Sequence, residues 1–186
     1  MNKCERCQKR EASIIVTGDG QEQLCVSCFN DRLSKDLGVQ LESMPEEIVV
    51  NDHSKTRRKF VVQQRLYPNG LFLEATEDIE YGYQFAVHGE IDCNQEELFQ
   101  KLVEKVKHGV HKKFTKVGKF LNGQTYHSII GDEVVGRIDH DERRSSEPMI
   151  VIDGQPYTWV QLGEMVKSYE GFQLQIKFFD MTDDVE

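Results

Sequence analysis

The stretch CERCQKREASIIVTGDGQEQLCVSCFNDRL, residues 4–33, holds four of the chain's five cysteines in two Cys-x-x-Cys pairs. Two intervening residues are the spacing at which a tight turn aims both sulfurs at one ion, and a tetrahedral metal takes four thiolates at about 2.3 Å. The segment between Cys7 and Cys25 is long enough for one hairpin. A β-branched run (ASIIVT), a Gly-Asp-Gly turn and a return (QEQL) would deliver Cys25 beside the first pair. From Ser27 onward Phe29, Leu33 and Leu37 recur at helical spacing, and Gly38 marks a helix end. This predicts a knuckle–hairpin–knuckle–helix module over residues 1–37, with Cys4, Cys7, Cys25 and Cys28 as ligands of one structural Zn2+. Four thiolates close the coordination shell and leave no position for water or substrate. A module of about 35 residues also has too little core to stand without such a staple. A redox Cys-x-x-Cys would follow a strand in a βαβ pattern, and neither that context nor iron–sulfur spacing is present.

Composition limits the rest. The 186 residues are 38% apolar and 30% charged, the balance of a soluble globular chain. No apolar run approaches the roughly 20 residues of a membrane helix, and MNKCERC lacks the apolar core of a signal peptide. These features predict a cytoplasmic protein, a compartment in which clustered thiols bind metal more often than they pair. A net charge of −9 opposes a main role in wrapping nucleic acid, which needs a basic face. The charge is uneven: residues 101–131 carry seven lysines against Glu104 alone, and residues 132–186 carry thirteen acids against five bases. The basic helix 101–119 is therefore the place for a nucleic-acid alternative. Few aromatics (Phe114, Phe120) interleave with its lysines as stacking platforms would. The plainer reading sets this helix against the acidic tail of its own chain.

Residues 38–58, with Pro45 and the polar run NDHSKTRR, read as a linker containing one strand candidate, EIVV. From Lys59, KFVVQQRLY and LFLEATE flank the hairpin signal PNG, and YGYQFAVHGEI supplies a third strand. Asn94 and Glu97 then open a helix whose apolar stripe runs Leu98, Leu102, Val106, Val110, Phe114. Gly109 within it costs about 1 kcal/mol relative to alanine. Further on, EVVGRIDHD and PMIVIDGQPYTW read as strands with an Asp-Gly turn, and Thr158 with Gln161 caps a helix ending near Gly171. Phe172, Leu174, Ile176 and Phe178 alternate as in a half-buried strand, and MTDDVE reads as a frayed end. The expected fold class is α+β. A small zinc module precedes one domain over 59–186, with a mostly antiparallel sheet, two helices and a candidate subdomain seam near 122–131.

CERCQKREASIIVTGDGQEQLCVSC resembles the N-terminal zinc module of McsA-type proteins, the adaptor and activator partners of bacterial protein arginine kinases. The likeness lies in the first pair, the following EAS, the β run ending in Thr17 and Leu-Cys-x-x-Cys. It implies the same four cysteines as ligands. The chain has Ile14-Ile15 where that family places a His, has a shorter hairpin, and lacks its helical tail and further Cys pairs. IVIDGQPYTWVQLGEMVKSYEGFQLQIKF is similar to uncharacterised bacterial domains with an Asp-Gly-x-x-Tyr-x-Trp, helix, Tyr-Glu-Gly-Phe-Gln pattern, a likeness that carries no function.

Other chemistry-bearing residues are weaker candidates. His108 and His111 share a helix face without a carboxylate partner at helical spacing. Cys93 sits at a helix start, where the dipole lowers a thiol pKa, but lacks a base. Asp139, His140 and Asp141 lie in an Asp-His-Asp-Glu loop. Trp159 reads as a core anchor. No phosphate loop, nucleophile elbow or metalloprotease helix occurs. The expectation is a non-enzymatic adaptor or protein–protein interaction protein with a structural zinc and another protein as partner. The alternatives are a nucleic-acid-associated regulator using 101–119, and an enzyme with its site in the α+β domain.

Overall fold

The computed structural model describes residues 2–17, 20–141 and 147–185. Within them the chain is α+β, with every strand pair antiparallel. The first hairpin is β1 (Ile14–Thr17) and β2 (Gln21–Leu24), followed by α1 (Val26–Leu37). Helix α1 ends at Gly38 in the left-handed conformation (φ 69°), where its N–H reaches the Ser34 carbonyl.

A four-stranded meander follows: β3 (Glu47–Asn51), β4 (Arg57–Tyr67), β5 (Gly70–Glu77) and β6 (Gln84–Gly89). Within the segment read as a linker, the strand candidate EIVV is an edge strand, pairing Ile48 with Phe60 and Val50 with Arg58. Pro68 and Asn69 form the β4–β5 turn, with Tyr67 opposite Gly70. Alternation puts Ile48, Val50, Phe60, Leu66, Leu71, Leu73, Ala75 and Val87 on one face. Helix α2 (Gln95–His111) covers that face with Leu98, Leu102, Val106 and Val110, all buried. Asn94 caps it by accepting from the Glu97 N–H at 3.1 Å. Phe114 lies beyond the helix and packs on the next core. The glycine in α2 has a steric reason: a Cβ at Gly109 would lie 2.2 Å from the Phe85 ring.

The third core gathers β7 (Thr115–Lys119), β8 (Thr125–Ile129), β9 (Arg137–His140), β10 (Pro148–Ile152), β11 (Gln155–Tyr157) and α3 (Trp159–Val166). Strands β7 and β8 form a hairpin, and β9, β10 and β11 form a sheet ordered β11-β10-β9. Asp153 and Gly154, both at positive φ, make the turn between β10 and β11. The Asp153 carboxylate accepts from the N–H groups of Phe114 and Thr115 and from the Thr115 hydroxyl, so it ties this turn to the start of β7. Thr158 and Gln161 form a reciprocal capping box on α3.

Three expectations fail here. Residues 172–180 are not a paired strand, and Phe172, Leu174, Ile176 and Phe178 are exposed. Trp159 is exposed too, because α3 turns Leu162 and Met165 toward the core instead. The tail after residue 180 is held: the Lys105 ammonium donates to the Met181 and Asp183 carbonyls at 3.1 and 2.6 Å.

Alanine is the better helix former, by about 1 kcal/mol, so substitution at Gly109 tests packing against propensity. We expect Gly109→Ala to lower the melting temperature, because overpacking a core costs about 1 to 3 kcal/mol. A rise in melting temperature by calorimetry would show that Phe85 moves aside freely.

Candidate metal centre

The four N-terminal cysteines converge. Their sulfurs all lie within 4.8 Å of one another. The Cys7 and Cys25 sulfurs are 3.9 Å apart. Four thiolates at about 2.3 Å from a tetrahedral ion stand about 3.8 Å from each other, so the cluster has the size of one ion's shell. Cys4, Cys25 and Cys28 are buried and Cys7 is half-buried, packed under Leu24, Val16 and Phe29.

Backbone geometry builds this arrangement. In the first knuckle the Gln8 N–H bonds the Cys4 carbonyl and the Cys4 N–H bonds the Arg10 carbonyl, each at 2.9 Å, with Gln8 at positive φ (58°). In the second, Cys25 is the N-cap of α1, which places Cys28 in the helix's first turn. There the helix dipole favours negative charge. The knuckles are joined by Glu5 N–H to the Gln23 carbonyl (2.9 Å) and by the Arg6 guanidinium to the Cys28 carbonyl (3.0 Å). Burial opposes ionisation of Cys4, but N–H groups of Cys7, Cys25 and Arg6 outweigh it and bring that thiol down to about 6. Burial and the neighbouring sulfurs push Cys28 up to about 12. A cation at the centre is what such crowded sulfurs need to ionise together. The donor set, all soft thiolate and tetrahedral in spacing, suits zinc or another thiophilic ion.

The module is fixed to the rest of the chain through α1. Asn30 donates its side-chain amide to the Gln64 carbonyl at 2.8 Å and accepts the Leu66 N–H at 3.0 Å. Beyond Val61 strand β4 no longer has β3 beside it, and this one side chain supplies the bonds a neighbouring strand would make. Leu33 and Leu37 pack on the sheet core beside it.

The remaining candidates are dispersed. His108 and His111 are exposed, and the His111 ring bonds the Lys107 carbonyl within its own helix. Burial raises the Cys93 thiol, so the dipole effect expected at the α2 start does not prevail there. Asp139 is engaged by Arg137 at 2.8 Å, which holds its carboxyl below the ordinary range. His140 is exposed at the end of β9, Asp141 is buried, and Glu142 lies outside the described residues. Gly18 and Asp19 of the hairpin tip lie outside them as well. Of the basic stretch, Lys105 is taken by the chain's own tail and Lys112 pairs with Glu133 at 2.7 Å; Lys113, Lys116 and Lys119 are exposed.

Sequence reasoning missed a second polar cluster. Asp52 accepts from the Ser54 and Thr56 N–H groups (2.8 and 2.9 Å) and from Arg58 Nε (2.9 Å). Arg58 also reaches Glu77 at 2.9 Å, and Glu77 accepts the Tyr83 N–H at 3.2 Å. Burial works against charge on Asp52, yet these donors hold its carboxyl below the usual value. Burial pushes the Tyr83 phenol up to about 12. The only hint in the sequence was the loop NDHSKTRR, whose Asp-x-Ser-x-Thr spacing suits a carboxylate-nucleated turn. All three charged partners are committed to one another, which describes a structural brace.

Family models match the chain in three consecutive segments, each described as a domain of unknown function: DUF7685 over residues 3–40, DUF7686 over 42–111 and DUF7713 over 116–183. The breaks fall just after α1 and just after α2. No curated protein and no solved structure matches. The likeness of the cysteine module to McsA-type proteins has no counterpart among these matches.

A carboxylate whose native pKa is depressed stabilises the fold above its unfolded value, about 3.9, and that contribution is lost as pH falls through the native value. We therefore expect Asp52→Asn to be less stable than the parent at pH 7, with the gap closing below about pH 4. Urea unfolding of both proteins across that range measures it; a gap independent of pH would remove charge from the account of this brace.

Proposed function

We propose that this chain is a zinc-stapled, non-enzymatic cytoplasmic adaptor that binds another protein. The observation that carries the reading is the closed set of four converging sulfurs, with Cys4, Cys25 and Cys28 buried. A four-thiolate shell has no open coordination position, so the ion keeps a shape and does not turn over a substrate. The module it holds is fixed on the sheet by Asn30, which suits presentation of a rigid surface. The resemblance of residues 4–28 to an adaptor module points the same way.

The nucleic-acid alternative is favoured by the exposed Lys113, Lys116 and Lys119, and weakened by the engagement of Lys105 with the acidic tail. The enzyme alternative rests on Asp139, His140 and Asp141, where the Asp139–Arg137 pair leaves that carboxylate a poor base.

Elemental analysis of purified protein is expected to return about one zinc per chain, and Cys25→Ser to lose it while Cys93→Ser keeps it. Retention of full metal content by Cys25→Ser would refute the site. For the partner, wild type and Cys25→Ser should differ in what they capture from the source cells. Binding of a fluorescent oligonucleotide that strengthens as salt is lowered would favour the alternative.

A further inference from the structure

The β7–β8 hairpin ends in an apolar tip turned to solvent. Leu121 is fully exposed, and its neighbour Phe120 is 54% exposed. Much of the tip's polar backbone is bonded internally. The Phe120 N–H donates to the Gln124 carbonyl at 2.8 Å, and the Gly123 N–H donates to the Phe120 carbonyl at 2.9 Å. The Gln124 N–H donates to the Asn122 side-chain oxygen at 3.0 Å. Backbone groups paired in this way enter an apolar medium without the cost of an unmet hydrogen bond.

Cations stand behind this tip. Residues 113–131 include Lys113, Lys116 and Lys119 and contain no Asp or Glu. All three lysines are exposed. Lys116 and Lys119 are three apart on β7, so they project from opposite faces of the hairpin. The acids beside the hairpin belong to its base, where Thr115 pairs with Ile129. Asp153 there is bonded by Thr115, and Glu133 is paired with Lys112. Glu164, on the helix packed against β8, is paired with Lys167. Asp132 follows the base, about 16 Å from the tip at the strand rise of about 3.3 Å per residue.

This combination discriminates among partners. A single-stranded nucleic acid needs open ring faces for its bases. Phe120 and Tyr126 instead pack on one another at 4.6 Å. The Tyr126 ring also lies across Gly118, where a Cβ would come within 2.3 Å of it. A second copy of the chain, docked tip to tip, would bring the same lysines together. An anionic bilayer complements both features: it attracts lysines to its phosphates and admits apolar side chains about 5 to 10 Å below them.

We propose that the β7–β8 hairpin docks on an anionic lipid bilayer, with Phe120 and Leu121 below the headgroups and Lys116 and Lys119 among them. One apolar anchor alone gives marginal, reversible attachment, and the lysines supply the second signal that firm attachment needs. The inference goes beyond the adaptor reading and stands apart from it: its readout is vesicle binding, not metal content or protein capture.

The test sediments the full chain with vesicles of phosphatidylglycerol and phosphatidylcholine in equal parts, and with vesicles of phosphatidylcholine alone. Wild type is expected to pellet with the anionic vesicles, to stay in solution with the neutral ones, and to be released as salt is raised. Lys116→Gln and Lys119→Gln should each weaken binding about fivefold. Leu121→Asp should reduce it at least as much with unchanged circular dichroism, since that side chain is exposed. Leu121→Trp, read against the parent's single tryptophan, should shift its fluorescence to shorter wavelength on adding anionic vesicles. A wild type that stays in solution with anionic vesicles overturns the proposal. So does binding that Leu121→Asp leaves intact, or an oligonucleotide bound through these lysines in a protein that ignores the vesicles.

Discussion

Two hydrogen bonds made by the Asn30 side chain join the cysteine module to the rest of the molecule. Where β3 ends, the edge of β4 would expose the Gln64 carbonyl and the Leu66 N–H, and the amide of Asn30 takes both. An amide is the right group for this place, since it carries a donor and an acceptor side by side, as a peptide unit does. Asparagine also reaches from a helix to a strand without bringing charge into a buried site. The consequence runs in both directions. The cysteine module sets where α1 lies, α1 closes the sheet edge, and the closed edge lets Leu33 and Leu37 extend the core that α2 covers.

What was legible in the sequence was local. The Cys-x-x-Cys spacing, the Pro-Asn-Gly and Asp-Gly turns, the α2 stripe and the Thr158–Gln161 cap are short-range patterns, and each stands where its chemistry requires. Strand β3 was half legible, because two inward apolar residues among polar neighbours make a weak signal. Phe114 extends the α2 stripe in sequence, but Asp153 draws the Phe114 and Thr115 N–H groups away to begin β7. Asp153 is 38 to 39 residues distant, beyond any periodicity window.

The candidate site follows the same division. The convergence of the four cysteines could be read from spacing alone, whereas the Asp52–Arg58–Glu77 brace could not, since its carboxylates belong to different strand ends that meet only in the folded sheet. Residues 172–178 show the limit most plainly. Their alternation forecasts a half-buried strand, yet the segment pairs with no strand among the described residues, because alternation reports which face is apolar and says nothing of who lies beside it.

Among the described residues, each strand pair joins strands adjacent in sequence. Such hairpins close small loops, and chains built from them reach their transition state quickly. Several of the links between distant parts of the chain are made by side chains: Asn30 to β4, Asp153 to Thr115, and Lys105 to the tail. These can form only after the elements they join are standing. Where such links form after the rate-limiting step, they slow unfolding without speeding folding.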